Sequence, residues 1–102
     1  MPNIKFSYLY RDSANYKKFD WVIFNNASFI SIKELETFIR SKLIYGEWFY
    51  GDQLKLPELL LDTFNFRIDP TWHEFESVEL TTDLPTSALS LVEFIALVNS
   101  LR

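Results

Sequence analysis

The regular alternation of residue types from residue 4 to residue 11 is the feature that most constrains the fold. The even-numbered positions are all apolar or aromatic, namely Ile4, Phe6, Tyr8 and Tyr10, whereas most odd-numbered positions are polar. A period of two with aromatic and β-branched residues predicts a half-buried strand. Such a strand is stable only in a sheet that has a core against one face, so the chain must also supply further strands and a covering layer.

A second strand is predicted directly after the first. Residues 12–15 are typical of a turn, and the connection is short enough for an antiparallel hairpin. The second strand is expected over residues 19–24. Because residues 21–24 are apolar at both parities, we expect this strand to lie in the centre of the sheet.

Two helices are predicted from their caps and apolar stripes. The first is expected from Ser31 to Tyr45, with Ser31 and Glu34 as a capping box and Gly46 as the residue that stops it. The second is expected to begin at the capping box of residues 90 and 93, or as early as residue 86, and to continue to the C-terminus.

The region between the helices is harder to assign. Residues 47–67 are ambiguous between strand and helix, and residues 54–57 are a candidate edge strand. Trp72 to Thr81 is predicted to be a strand. Its inward parity changes midway, which indicates a β-bulge near Glu76 and Ser77.

These elements predict an α+β fold formed by residues 1–102 as a single domain. We expect an antiparallel sheet of about three to five strands with two helices packed on one face, in the order β-β-α-(β)-β-α. The opening hairpin followed by a helix also resembles the start of a β-grasp, the ubiquitin-like arrangement, which is the alternative.

Charge and composition exclude several classes of function. The net charge is −4, the pI is about 4.9 and no basic stripe is present, which argues against nucleic-acid binding. The absence of cysteine excludes disulfides, thiolate metal sites and a cysteine nucleophile. No apolar stretch approaches the ~20 residues of a membrane span. We therefore expect a soluble, cytoplasmic protein without membrane contact.

The segment DPTWHEFESVEL, residues 69–80, contains the single histidine of the chain, His73. On a strand, Glu74 and Glu76 point away from His73 because successive side chains alternate. The segment lacks the HExxH spacing of zinc enzymes, and two glycines cannot build a phosphate loop. We therefore predict no catalytic residue, metal ligand or cofactor site. A chemical site made of His73 with Asp69 or Glu74 is the alternative.

Aromatic residues are the other candidate for function, above all in the segment YGEWFYGD, residues 45–52. Tyrosine and tryptophan dominate interface hot spots because they combine a large apolar area with a polar tip. Nearby acids would steer a basic partner. The predicted partner-binding residues are Glu47, Trp48, Tyr50, Asp52, Trp72, Glu74 and Glu76.

Several stretches together resemble a family of short, uncharacterised bacterial proteins of this length. They are the pattern NYKKF…VIF in residues 15–24, the helix SIKELETFIRSKLI, and the later GEWF, LPEL and WHEFESVE. The resemblance covers residues 4–83 approximately. It implies a bacterial origin and a cytoplasmic location, and it assigns no activity and no functional residue.

Three hypotheses for function remain open. The first is a non-enzymatic protein-interaction module, such as an immunity protein, an antitoxin, an inhibitor or a subunit of a complex, with a protein partner that is basic. The second is a small-ligand-binding protein or enzyme that uses His73 with a nearby carboxylate. The third is a homodimer formed by an exposed sheet edge or helix face, without chemistry of its own.

Overall fold

The computed structural model describes residues 2–26, 30–61 and 63–101 of the chain. In chain order it contains strands β1 (Asn3–Arg11) and β2 (Lys17–Phe24), helix α1 (Ile32–Lys42), strand β3 (Trp48–Tyr50), a 3-10 turn (Gly51–Leu54), strand β4 (Trp72–Thr81) and helix α2 (Leu91–Asn99). The predicted α+β class is confirmed. The order is β-β-α-β-β-α, so a third strand does lie between the helix and the last strand.

The strands form one four-stranded sheet in the order β2-β1-β4-β3, and every neighbouring pair is antiparallel. The predicted hairpin is present, with Arg11 opposite Lys17 at its closed end. The opening hairpin followed by a helix, on which the β-grasp alternative is based, is present.

Strand β2 lies at an edge of the sheet, and the prediction that it is central was wrong. The apolar residue that suggested burial on both faces, Ile23, is buried because the segment before α2 lies along this edge. The backbone carbonyl of Ile23 accepts hydrogen bonds from the N–H groups of Thr86 and Ser87, and its N–H donates to the Thr86 hydroxyl. An irregular segment thus replaces the missing neighbouring strand.

The core lies against the face of the sheet formed by the even-numbered side chains of β1, here called the inner face. All four of these side chains, predicted to share one face, are completely buried. The ring of Phe6 contacts those of Phe49, Phe75 and Phe94 at centroid distances of 6.0, 5.3 and 5.2 Å. Buried residues of both helices belong to the same cluster, so both helices pack on the inner face. The opposite face is called the outer face.

The predicted bulge in β4 is present. Ser7 of β1 pairs with Ser77, but the next residue, Tyr8, pairs with Phe75. Glu76 is therefore the extra residue, and it is exposed. The bulge allows Phe75 and Val78, which differ by three positions, both to enter the core.

The helix starts follow their predicted caps more closely than the helix ends. The Ser31 side chain accepts the N–H of Glu34, and Ser90 forms a complete capping box at the start of α2. Helix α1 ends at Lys42, three residues before the predicted end, and Gly46 lies in the following turn.

Residues 54–57 form no strand, which corrects the predicted edge strand there. Neither described helix has the length and apolar character needed to cross a bilayer.

Residues 55–71 contain no regular helix or strand in their described part, yet they cover one side of the core. The hydroxyl groups of two buried tyrosines hold this segment. Tyr8 donates to the carbonyl of Pro57 at 2.7 Å, and Tyr10 donates to the carbonyl of Pro70 at 2.6 Å. Pro57 is exposed and Pro70 is half-buried, so these bonds attach a segment at the surface to rings inside the core.

We expect Tyr10→Phe to lower the free energy of unfolding by about 1–2 kcal/mol, because the carbonyl of Pro70 loses its partner while the ring still fills the core. Tyr16→Phe, at an exposed position in the hairpin, is the matched control and should change it by less than about 0.5 kcal/mol. Urea unfolding followed by circular dichroism measures both values. Equal effects of the two substitutions would contradict the anchoring role.

Candidate functional site

An aromatic cleft of about 280 Å³ lies at the β3 end of the sheet. This depression, called the aromatic cleft from here on, is lined by Ile44, Tyr45, Trp48, Tyr50 and Trp72. Three of them, Trp48, Tyr50 and Trp72, are among the predicted partner-binding residues. The structure therefore brings residues that are distant in sequence into one apolar depression.

The pairing of β3 with β4 explains how these side chains come together. Tyr50 lies opposite Trp72, and Trp48 lies opposite Glu74. Paired residues in an antiparallel sheet project from the same face. The alternate pair, Phe49 with His73, is buried in the core. The tryptophans and Tyr50 are therefore on the outer face because their neighbours in sequence are needed inside.

The turn before β3 supplies the remaining wall of the cleft. The backbones of Ile44 and Trp48 exchange two hydrogen bonds, at 2.9 and 3.0 Å, which close the turn. Arg40 of α1 donates from Nη1 to the carbonyl of Gly46 at 2.8 Å and so fixes the turn to the helix. The ring of Tyr45 meets that of Trp48 edge-on, at 5.9 Å and 82°.

Tyr45 occupies an unfavourable position for an aromatic residue. Its φ is 53°, in the left-handed region, and its side chain is 87% exposed. A left-handed conformation costs an L-residue about 1–2 kcal/mol. Burial of the ring does not compensate for this cost. Strained residues of this kind cluster at functional sites, and Lys55, at the end of the 3-10 turn, has a similar φ of 54°.

The predicted acidic contacts separate into two groups. Glu47, Asp52 and Glu76 are exposed. Glu74 instead forms a two-bonded ion pair with Arg11, at 2.8 Å from Nε and 3.1 Å from Nη2. This pair links β4 to β1 across the outer face, so Glu74 already has a partner within the chain.

His73 is completely buried and acts as part of the core. Its Nε2 accepts the backbone N–H of Leu59 at 2.9 Å, which is a third attachment of residues 55–71 to the inner face. The rings of Tyr8, Tyr10 and Phe49 surround the imidazole at centroid distances of 5.9, 5.4 and 6.0 Å.

The environment of His73 favours the neutral imidazole. Burial lowers the pKa of His73, and the negative charge of Glu58 and the backbone carbonyl of Thr71 oppose this shift only in part. Because Nε2 accepts a hydrogen bond, the proton of the neutral ring is assigned to Nδ1. Within the described residues, Nδ1 has no hydrogen-bond partner of good geometry.

Asp69, the proposed companion of His73, is used elsewhere. Its carboxylate accepts the N–H and the hydroxyl of Ser13, at 3.0 and 2.7 Å, and the N–H of Asn65 at 2.8 Å. These hydrogen bonds lower the pKa of Asp69. They connect the β1–β2 turn to the segment before β4. In the described ranges no three acidic or histidine side chains converge as metal ligands would.

Ile44 and Tyr45 were not among the predicted partner-binding residues, although Tyr45 opens the aromatic segment YGEWFYGD. The sequence analysis assigned both to the end of α1. The signal that could have found them is the neighbouring Gly46, since a glycine in a left-handed turn, here with φ of 74°, can mark an earlier helix end.

Comparison with known proteins finds no relative: no protein-family model, no curated protein and no solved structure matches this chain significantly. The resemblance to a bacterial family therefore stays a prediction. Arguments about function have to start from the geometry of the site.

We expect His73 to make the stability of the protein dependent on pH. The unfolded chain binds a proton near the usual pKa of 6.5, whereas burial lowers the pKa of the folded state. Below pH 6.5 the unfolded state therefore binds more protons. The contribution of His73 to the free energy of unfolding is complete above that pH and decreases as the pH falls below it.

The control for this prediction is His73→Gln, which offers an acceptor to the N–H of Leu59 but does not titrate. Urea unfolding of both proteins between about pH 8 and about pH 5 gives the comparison. The wild-type protein should lose stability relative to the variant on acidification. Parallel curves for the two proteins would show that the imidazole does not titrate differently in the folded state.

Proposed function

We propose that this chain is a non-enzymatic protein-interaction module whose contact surface is the aromatic cleft. The observation that supports the proposal is the position of three large aromatic side chains, Trp48, Tyr50 and Trp72, on the outer face of the sheet. Clustered aromatic side chains with polar tips are characteristic of interface hot spots. Contiguous exposed apolar patches on small proteins commonly mark interaction sites.

The core does not need the cleft residues. The inner face is filled by other aromatic side chains, among them Phe6, Phe75 and Phe94, which contact one another directly. Trp72 remains 43% exposed, and Tyr45 is almost fully exposed. Trp48 and Tyr50 are partly buried, but the exposed areas of Trp72 and Tyr45 contribute little to packing, and a role in binding accounts for them.

The chemistry of the cleft favours a basic partner segment. Aromatic faces attract ammonium and guanidinium groups through their quadrupoles. The neighbouring Glu47 and Asp52 are exposed, and the chain has a net charge of −4. Acids at the rim of an interface increase the association rate of a basic partner more than they increase its affinity. The proposed partner therefore inserts a lysine or arginine side chain between the rings.

This mode of binding suits an immunity protein, an antitoxin, an inhibitor or a subunit of a larger complex. All four neutralise or complete another protein by covering part of its surface. We place this role in the bacterial cytoplasm, where a chain without cysteines needs no disulfides for stability.

A small-ligand or enzymatic role for His73 has less support. The imidazole is completely buried, and its Nε2 is occupied by the backbone of Leu59. Asp69 and Glu74, the two suggested carboxylates, are engaged with Ser13 and Arg11. An activated histidine needs access to substrate and an orienting carboxylate, and this arrangement offers neither.

We expect Trp72→Ala to weaken partner binding at least tenfold, because a central aromatic anchor is removed. Its free energy of unfolding should fall by about 2–3 kcal/mol, since more than half of the residue is buried and truncation of a fully buried tryptophan costs about 3–5 kcal/mol. Phe66→Ala, an exposed aromatic outside the cleft, is the matched control. Pull-down from bacterial lysate with the wild type and both variants as baits identifies the partner, and calorimetry then measures each dissociation constant.

The result that supports the proposal is a protein retained by the wild type and by Phe66→Ala but lost from Trp72→Ala. High salt should weaken its retention, since exposed charges are screened. If Trp72→Ala retains every protein that the wild type retains, the cleft is not the contact surface. If Trp72→Ala unfolds, the ring belongs to the core and the proposal loses its main support.

Tyr45→Gly provides an independent test of the cleft. Glycine relieves the left-handed backbone but gains freedom in the unfolded chain, so the free energy of unfolding should change by less than about 1 kcal/mol. Binding of the identified partner should nevertheless weaken, because one wall of the cleft is gone. Unchanged affinity, measured by calorimetry, would exclude Tyr45 from the interface.

A further inference from the structure

The edge of the sheet formed by β2 is divided into a covered half and an open half. The backbone groups of Ile23 point away from β1, as their bonds to Thr86 and Ser87 show. The carbonyl of Asn25 also points outward and accepts the N–H of Leu91. Because backbone direction alternates along an antiparallel strand, the outward residues of β2 are the odd-numbered ones.

Lys17, Phe19 and Trp21 are the remaining outward residues. Across residues 2–26, 30–61 and 63–101, no hydrogen bond reaches the outward backbone of Lys17 or Phe19. The N–H of Trp21 donates to the adjacent Asp20 carboxylate at 2.8 Å. The side chains of Phe19 and Trp21 are 58% and 51% exposed. This half of the edge has an open backbone beside exposed aromatic rings, a combination that favours pairing with another strand.

We propose that the open half of β2 pairs with the same strand of a second copy of this chain. The two β2 strands run antiparallel around a two-fold axis, with Phe19 opposite Phe19 of the second copy. The result is a continuous eight-stranded sheet across the dimer. A two-fold axis places the same surface on both subunits, so the strand must be complementary to itself.

The sequence KKFDW, residues 17–21, has this self-complementarity. With Phe19 on the axis, Lys18 lies opposite Asp20 of the second copy, twice by symmetry. Lys17 lies opposite Trp21. Opposite charges directly across a strand pair are favourable. The Trp21 ring already holds the ammonium of Lys5 at 4.5 Å, so the complementarity rests on Lys18 and Asp20.

The other two-fold registers are worse. An axis at residue 17 or 18 places two lysines opposite each other, and an axis at residue 20 places two aspartates opposite each other. An axis at residue 21 requires the backbone of Ile23, which Thr86 and Ser87 already occupy. Of these registers, only the one with its axis at Phe19 avoids like-charge pairs and leaves the hydrogen bonds of Ile23 in place.

The existing contacts permit this pairing without a change of fold. When the N–H of Trp21 donates to the carbonyl of Lys17 in the second copy, the Asp20 carboxylate is released and can accept Lys18 of that copy. The two lysines at this edge also discourage pairing with other proteins' neutral strands. They therefore act against aggregation while they favour the self-pairing.

The proposed dimer is independent of the proposed function. Strands β2 and β3 lie at opposite edges of the sheet, so the aromatic cleft stays accessible in the dimer. Failure of the dimer would leave the cleft proposal intact, and loss of binding by Trp72→Ala would leave the dimer intact.

The test is sedimentation velocity of the full chain over a concentration series, with charge-reversal variants. K18D places two carboxylates opposite each other, and D20K places two ammonium groups opposite each other. Each variant alone should dimerise at least tenfold more weakly than the wild type. The double variant K18D/D20K should recover the wild-type dissociation constant, and an equal mixture of the two single variants should form a heterodimer.

Hydrogen exchange supplies the second measurement, at the level of single amides. The amide of Phe19 should gain protection as the concentration of wild-type protein rises, whereas the amides of Lys18 and Asp20, which face β1, should not. A monomer at every concentration would overturn the proposal. So would a dimer that K18D and D20K leave unchanged, because its interface would then lie elsewhere.

Discussion

The rest of the structure depends on three hydrogen bonds that join side chains on the inner face of the sheet to residues 55–71. Tyr8, Tyr10 and His73 each reach from a buried ring to the backbone of residues 55–71. That segment has few of the regular bonds that a helix or strand would provide, and these side chains attach it to the sheet. The N–H of Leu59 is buried and needs such a partner. Without these three contacts one side of the core would lose its cover.

This use of polar groups for structure has a direct consequence for function. The residues that look most chemical in the sequence, His73 and Asp69, hold loops in place. Glu74 fastens β4 to β1 through Arg11. The residues proposed for binding line the aromatic cleft instead: two tryptophans, two tyrosines and Ile44. Side chains alternate along β4, so His73 points into the core and its neighbour Trp72 points to the outer face.

The two edge strands of the sheet are protected against pairing to different extents. At the β3 edge a tight turn pairs Ile44 with Trp48, and the strand itself is three residues long. At the β2 edge the segment before α2 covers only Ile23 and Asn25. Edge strands that are short or covered are protected against pairing, whereas the uncovered half of β2 keeps its capacity to pair. The two proposals, partner binding at one edge and self-association at the other, follow this difference.

Much of the fold was predictable because its signals are local. Alternation in β1 and β4, the capping residues Ser31 and Ser90, and the parity change at Glu76 depend on neighbours within a few positions, and the structure confirms each of them. For the site, the same local patterns identified Trp48, Tyr50 and Trp72 as candidates, but they could not show that the three line one cleft.

Only the tertiary structure decided which residues far apart in the chain contact each other. The sequence by itself determined which side of β1 is apolar and where α1 begins, and it identified the capping box of α2. It did not determine that β2 is an edge strand, because Ile23 is covered by residues 63 and 64 positions away. Nor did it determine that Glu74 pairs with Arg11, or that His73 bonds to Leu59. Periodicity reports the direction of a side chain, whereas its partner depends on the packing of the whole chain.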